Sequence, residues 1–223
     1  MVDTKFNLKA IILCVILGLL LGLYIYVKPL DGPESVWLSY DDITHLGILQ
    51  SMVETGNYSA FSTTIYPDFS DGLTSYYPAL WHQLSAMIAS ALNVSPLLAA
   101  NALNYLVTSL LITRNAHAAL AGIQTNKKAV IAGVLMCLML LAFPWGFLII
   151  GRLLANLIGF AFVPLILACA YAVFDGTTEK RDRARAFFLV LLGCLLAVFA
   201  QPNLVFSVFA LFIPYGAYRV WNR

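Results

Sequence analysis

The sequence predicts an all-α, polytopic integral membrane protein with about six transmembrane helices. Of its 223 residues, 61% are hydrophobic and only 11% are charged, and the mean hydropathy is +0.84. Soluble domains carry roughly 25% charged residues, so this composition excludes an ordinary soluble fold. Several apolar stretches also reach the ~18 to 20 residues that a helix needs to cross about 30 Å of hydrocarbon.

Short polar segments divide the apolar stretches and define the predicted spans. The first span, 10–27, follows Lys5 and Lys9. No small-residue cleavage site follows it, so we interpret it as a retained span and not as a secretory signal. A charged segment, 175–185, is expected to be a cytoplasmic loop between the fourth and fifth spans. The five later spans are predicted at about 96–113, 128–150, 153–174, 186–200 and 203–220.

A long polar segment, 29–95, lies between the first and second spans. It contains two stretches that we predict to be juxtamembrane helices, about 40–55 and 78–92. Cytoplasmic loops are enriched in Lys and Arg, and this rule is obeyed throughout the chain only if 78–92 lies along the outer interface without crossing. We therefore expect a plasma-membrane protein whose N-terminus is cytoplasmic and whose segment 29–95 is external.

The external segment contains YDDITHLGILQSMVETGNY, in which Asp41 and Asp42 precede His45 by four and three residues. At these spacings the three side chains share one face of a helix. One interpretation is structural, because acids in the first helical turn interact favourably with the helix dipole. The other is functional, since such a group can supply a general base or bind a divalent metal ion. Spacing alone leaves both interpretations open.

The residues after the acidic pair resemble the first external loop of the GT-C glycosyltransferases. In the lipid-A aminoarabinose transferases and protein O-mannosyltransferases, such a pair is followed by Met, Gly and an aromatic residue, as here by Met52, Gly56 and Tyr58. The stretch SYYPALWHQLSAMIASALNVSP is similar to the proline-aromatic helix that closes that loop. FPWGFLIIGRLLANLIGF and QPNLVF more weakly resemble segments of large actinobacterial-type GT-C membrane proteins of uncharacterised function.

The resemblance implies a GT-C-like N-terminal module that transfers a sugar from a polyprenyl-phosphate donor on the outer face of the membrane. Asp41 is then the base that accepts the proton of the acceptor hydroxyl. Asp42 positions a metal ion, the acceptor or Asp41 itself. Asp42 and His45 are the candidate ligands of a divalent metal ion.

The phosphate of such a donor must meet positive charge at the outer interface. In the predicted topology only Lys28 and Arg152, among all Lys and Arg residues, lie near that side. Arg152 follows Gly151 in a tight turn between two spans, so it is our candidate phosphate ligand, with an interfacial anchor as the alternative. Lys28, at the end of the first span, fits an anchor better.

Four further polar side chains are candidate substrate ligands. His45 and His82 lie on the two juxtamembrane helices, and a solvated interfacial position is the alternative for His82. Gln201 and Asn203 flank Pro202 between the last two spans. They either bind sugar hydroxyls or pyrophosphate, or satisfy backbone groups that the proline leaves without partners.

Asn101, Asn104 and Thr108 form one stripe on the second predicted span. Polar side chains in transmembrane helices commonly form hydrogen bonds to neighbouring helices. We therefore expect these three residues to join helices and not to bind substrate.

Two other functions compete with glycosyl transfer: a transporter and a non-catalytic membrane scaffold. Ionisable residues, which usually mark a translocation path, are almost absent from the predicted spans. GT-C enzymes usually continue through further helices, so we expect this chain to be either an N-terminal portion or a short member that needs a second subunit. The expected partners are membrane lipids and the lipid-linked sugar donor, and no nucleic acid is expected.

Overall fold

The computed structural model describes residues 8–36, 42–61, 76–125, 154–174 and 179–221. Within these ranges the chain forms helices, turns and loops but no β-strand, so the predicted all-α class is confirmed for them. A π-helical turn, Leu23–Val27, directly continues the first helix. The α-helices are α1 (Leu8–Gly22), α2 (Asp42–Thr55), α3 (Leu80–Leu92), α4 (Pro96–Thr125), α5 (Leu154–Phe174), α6 (Lys180–Ala200) and α7 (Asn203–Trp221).

The helices in the segment predicted to be external lie close to their predicted ranges. Helices α2 and α3 begin at Asp42 and Leu80 and end at Thr55 and Leu92. A capping residue marks one of these ends: Gly56, with φ of +67°, follows α2 in the left-handed conformation that favours glycine. The span predicted at 128–150 lies outside the described residues.

The prediction of a loop at 175–185 is wrong from residue 180 onward, because α6 begins there. Lys, Arg and Ala in this segment have high helix propensity, so the charge that suggested a loop does not oppose a helix. Asp182 lies in the first turn, where an acid is favoured by the helix dipole. Its Oδ1 also accepts a hydrogen bond from Arg185 Nη1 at 3.1 Å, one helical turn later.

Two described helices are long and apolar enough to cross a membrane: Pro96–Thr113 within α4, and α6. A shorter apolar helical stretch, Ile11–Val27, includes the π-helical turn. Large apolar side chains on α1 and α6 are exposed, including Leu13 at 60% and Leu195 at 54%. Contiguous exposed apolar surface of this kind is typical of helices that face lipid.

The chain divides into two compact units. The first comprises Met1–Leu46 and Ile88–Leu154, and the second comprises Gly47–Met87 and Ala155–Arg223.

In the first unit, α1 packs closely on α4 through Gly18 and Gly22. A Cβ added at Gly18 would collide with Thr113 Oγ1 and lie 2.5 Å from the carbonyl oxygen of Ser109. A Cβ at Gly22 would collide with Ser109 Oγ and lie 3.2 Å from the ring of Tyr105. The two glycines are four residues apart, as in the G-x-x-x-G pattern that allows transmembrane helices to approach closely.

A buried polar network joins the π-helical turn to α4. The Tyr26 hydroxyl donates to Asn101 Oδ1 at 2.9 Å and accepts from Asn104 Nδ2 at 3.0 Å. Asn101 Nδ2 also donates to the carbonyl oxygens of Pro33 and Ser35, at 2.8 and 3.0 Å. The interhelical role predicted for Asn101 and Asn104 is therefore confirmed.

The third member of that predicted stripe, Thr108, does not join the network. Thr108 is 1% exposed, yet its hydroxyl has no hydrogen-bond partner within the part of the chain that the structure describes. Thr108 is therefore buried by packing and not held by this network.

The second unit has an apolar core between α5, α6 and α7, formed by Ile166, Ala197, Leu204 and Val208. Small residues let these helices approach one another. A Cβ at Gly193 of α6 would lie 2.6 Å from Ile166 Cγ1, and one at Gly159 of α5 would lie 2.7 Å from Leu204 Cδ1. The core therefore holds the C-terminal end of α6 and the N-terminal end of α7 against α5.

Candidate functional site

The acidic stretch identified in the sequence lies at the start of α2. Asp42 is the first residue of α2, at the positive end of the helix dipole, and is only 5% exposed. Burying a carboxylate costs free energy that local interactions must offset. An acid exposed to solvent at this position would already interact favourably with the helix dipole, so that interaction does not require burial. The burial of Asp42 therefore exceeds what a helix cap requires. Its neighbour Asp41 lies outside the described residues.

His45 follows on the same helix, one turn after Asp42, and is half-buried. The described residues contain no group of three or more His, Cys, Asp or Glu side chains that could hold a metal ion. Asp42 and His45 supply one carboxylate and one imidazole on neighbouring positions of α2. This donor set suits a divalent cation only if it is completed by further oxygen or nitrogen ligands.

The motif residues after the pair each have an identifiable structural role. Met52 is buried at 3% exposure, and Gly56 ends α2. The backbone then turns, with the Ser59 N–H donating to Asn57 Oδ1 at 3.1 Å. The carbonyl of Tyr58 accepts a hydrogen bond from Gln83 Nε2 at 2.8 Å, which ties this turn to α3. The turn after α2 is therefore hydrogen-bonded to α3 through the backbone carbonyl of Tyr58.

His82 is completely buried on α3, so the solvated alternative for this residue is wrong. Its ring packs edge-on against Trp81, with centroids 5.0 Å apart, and against Tyr77, at 5.6 Å. A fully buried imidazole offers no surface to a sugar or a phosphate. In this structure His82 belongs to the aromatic packing that supports α3, and the sequence-based substrate role has no geometric support.

The break between α6 and α7 is connected to the loop before α3 by Tyr76. The Tyr76 hydroxyl donates a hydrogen bond to the carbonyl of Val198. In a continuous helix that carbonyl would accept the N–H of the residue four positions later, which here is Pro202 and has no N–H. Tyr76 therefore supplies the donor that the proline lacks. Sequence reasoning missed this role, although the four-residue spacing of Val198 and Pro202 signals the need for an outside donor.

The candidate ligands Gln201 and Asn203 lie at this break. Gln201 caps α6 in an extended conformation and is half-buried, and Asn203 is the exposed first residue of α7. The Gln201 N–H donates to the Ala197 carbonyl at 2.6 Å, and the Gln201 carbonyl accepts from Leu204 at 3.0 Å. The Gln201 backbone thus completes both helix ends, and the Val198 carbonyl accepts its hydrogen bond from Tyr76.

Of the two cationic candidates, Lys28 and Arg152, the structure describes Lys28. Lys28 Nζ lies 4.7 Å above the ring centroid of Tyr24, a cation–π contact that suits an interfacial anchor. Arg152 lies outside the described residues.

Replacing Tyr76 by Phe is expected to lower the free energy of unfolding by roughly 1 kcal/mol, because the Val198 carbonyl loses its donor while the aromatic ring is kept. Burial raises the pKa of Tyr76 above its ordinary value of 10.0. The contribution of the tyrosine is thus complete below about pH 10 and is lost as the pH rises through the raised pKa. Thermal unfolding in detergent micelles, followed by circular dichroism at neutral and alkaline pH, measures both effects.

Tyr24→Phe is the matched control, because Tyr24 is 63% exposed and keeps its ring under Lys28. Equal stability of the Tyr76→Phe and Tyr24→Phe variants would show that the hydrogen bond to Val198 contributes nothing.

Comparisons with known proteins place the chain in a family without adding a function. No curated protein and no solved structure matches it. Residues 3–223 match the model of a family described as "Family of unknown function (DUF6541)". Because the match covers nearly the whole sequence, the chain belongs to the DUF6541 family.

Proposed function

We propose that the chain is a membrane glycosyltransferase, or the N-terminal module of one, that uses a polyprenyl-phosphate-linked sugar donor at the outer face of the membrane. The observation that carries the proposal is the burial of Asp42 at the start of α2, beyond what helix capping requires. The resemblance of the surrounding motif to the GT-C first loop supports the same function.

The proposed reaction is a direct transfer at the anomeric carbon. The carboxylate of Asp41 accepts the proton of the acceptor hydroxyl, and the acceptor oxygen forms a bond to the anomeric carbon. The bond from that carbon to the phosphate oxygen breaks, and polyprenyl phosphate leaves with the electron pair. Arg152 stabilises the charge on the leaving phosphate. Asp42 holds Asp41 or the acceptor in place.

The remaining candidates are assigned to binding. Gln201 and Asn203 are proposed to contact sugar or phosphate oxygens at the break between α6 and α7, where Asn203 is exposed. His45 is proposed to contact substrate or, with Asp42, to bind a divalent metal ion.

The proposed arrangement has six spans in the plasma membrane, with a cytoplasmic N-terminus and with 29–95 outside. Two described helices of spanning length, together with the exposed apolar side chains of α1 and α6, support the membrane location. The orientation is supported by the distribution of Lys and Arg along the sequence.

Cysteine substitutions labelled by a membrane-impermeant thiol reagent test this orientation: a cysteine at position 57 should be labelled in intact cells, and one at position 180 should not.

Comparison of two Asp→Asn variants tests whether the acidic stretch is catalytic. Asp42→Asn should lower sugar transfer at least tenfold in membranes supplied with the lipid-linked donor, because the buried carboxylate positions the reacting groups. Asp31→Asn is the matched control, because Asp31 is an exposed acid in the same segment. Equal activity of the two variants, at equal amounts of inserted protein, would reduce Asp42 to a helix cap.

A further inference from the structure

Helix α6 carries a row of exposed side chains that changes from basic to apolar along the helix. Arg181, Arg185, Phe188 and Leu192 follow one another at spacings of four, three and four residues, which places them on one helix face. All four are exposed, Phe188 to 64% and Leu192 to 40%. We call these four residues the α6 stripe.

A different face of α6 packs against the protein. This packed face consists of the small buried residues Ala186, Gly193, Ala197 and Ala200. At Gly193 there is no room for a Cβ beside Ile166 of α5. The packed face and the α6 stripe are centred about a third of a turn apart on a helix of 3.6 residues per turn. The stripe therefore points away from the core of its unit.

The basic and apolar parts of the α6 stripe are spaced like the layers of a bilayer surface. At 1.5 Å per residue, Arg181 and Phe188 lie about 10 Å apart along the helix axis. The headgroup layer on each side of the hydrocarbon is roughly 5 to 8 Å thick. With Phe188 at the hydrocarbon boundary, Arg185 lies at the level of the lipid phosphates, and Arg181 begins just outside the headgroup layer, from which its long side chain can reach them.

The basic end of α6 carries a net positive charge. One of its arginines, Arg185, is oriented by its hydrogen bond to Asp182, whereas Arg181 forms no ion pair within the residues that the structure describes. Clusters of four or more Lys and Arg beside a membrane-spanning helix attract anionic lipid headgroups. The start of α6 has four basic residues and two acidic ones, Glu179 and Asp182. The basic residues are Lys180, Arg181, Arg183 and Arg185.

We propose that the α6 stripe binds one anionic phospholipid. Arg181 and Arg185 contact its phosphate through guanidinium hydrogen bonds, and Phe188 and Leu192 lie along an acyl chain. A zwitterionic lipid binds less well, because its own cationic group competes with the arginines for the phosphate. This binding site is separate from the proposed glycosyl transfer and does not depend on it.

The affinity of phosphatidylglycerol for the full chain in detergent micelles, measured by native mass spectrometry, tests the proposal. Arg181→Gln should weaken phosphatidylglycerol binding about fivefold, because a basic residue near the lipid surface contributes about 1 kcal/mol. Lys180→Gln is the matched control, since Lys180 is an adjacent exposed cation that lies off the stripe. It should change the affinity less than twofold, whereas Arg181→Lys should retain most of it.

Three results would overturn the proposal. Equal losses in Arg181→Gln and Lys180→Gln would indicate diffuse charge attraction without a site. Equal affinity for phosphatidylcholine would remove the requirement for an anionic headgroup. Displacement of phosphatidylglycerol by an equal concentration of inorganic phosphate would show that the α6 stripe binds free phosphate and not a lipid. Helical content measured by circular dichroism verifies that each variant is folded.

Discussion

Asp41→Asn is expected to lower glycosyl transfer by about 10²- to 10⁴-fold, the usual contribution of a general base within reach of a bound nucleophile. Asn has nearly the same shape as Asp but cannot accept the proton of the acceptor hydroxyl. Binding of the donor should change little, because the lost interaction acts on the acceptor during the reaction. The measurement is the initial rate of sugar transfer, normalised to the amount of inserted protein.

Asp41→Glu provides a second comparison, because it keeps the carboxylate and displaces it by one methylene. It should recover part of the rate that Asp41→Asn loses. A fully active Asp41→Asn variant would remove the base assignment and leave the acidic pair with the structural role of opening α2.

Gly18→Ala is expected to destabilise the first unit by about 1–3 kcal/mol, because the added methyl group forces α1 away from α4. The direction of the change is informative. Ala is favoured over Gly inside a helix by about 1 kcal/mol, so without the close contact this substitution would stabilise α1. The added Cβ would instead lie 2.5 Å from a backbone carbonyl oxygen, which cannot rotate away. Thermal unfolding in detergent micelles measures the shift.

Gly32→Ala is the control for this prediction. It makes the same chemical change at a position where an added Cβ meets nothing within 4 Å. A Gly18→Ala variant as stable as Gly32→Ala would contradict the close packing of α1 on α4.

The sequence predicts the helices well where local signals mark their ends. Gly56 marks the end of α2, and Ser95 precedes Pro96 at the start of α4, where Ser95 Oγ accepts the N–H of Leu98 at 3.2 Å. The start of α6 at Lys180 differs from the predicted loop at 175–185. Lys and Arg favour helices as well as water, so charge alone does not distinguish the two.

Contacts between distant segments are harder to predict from the sequence. The pairing of Tyr26 with Asn101 and Asn104 needs the relative position of two helices, and only the polar stripe on α4 was visible in the sequence. The contact from Tyr76 to Val198 joins residues 122 positions apart. The rings that pack on His82 belong to its sequence neighbours Tyr77 and Trp81, but its complete burial depends on the fold and could not be predicted from the sequence.

The release of polyprenyl phosphate is the most direct test of the proposed function. The full chain, reconstituted in bilayers, is supplied with a panel of polyprenyl-phosphate sugars and a cell-envelope extract as the source of acceptors. The proposed function predicts acceptor-dependent release of polyprenyl phosphate, in equal amount to the glycosylated product and lost in the Asp41→Asn variant. Folded, inserted protein that transfers sugar from no donor, with the envelope extract present, would contradict it.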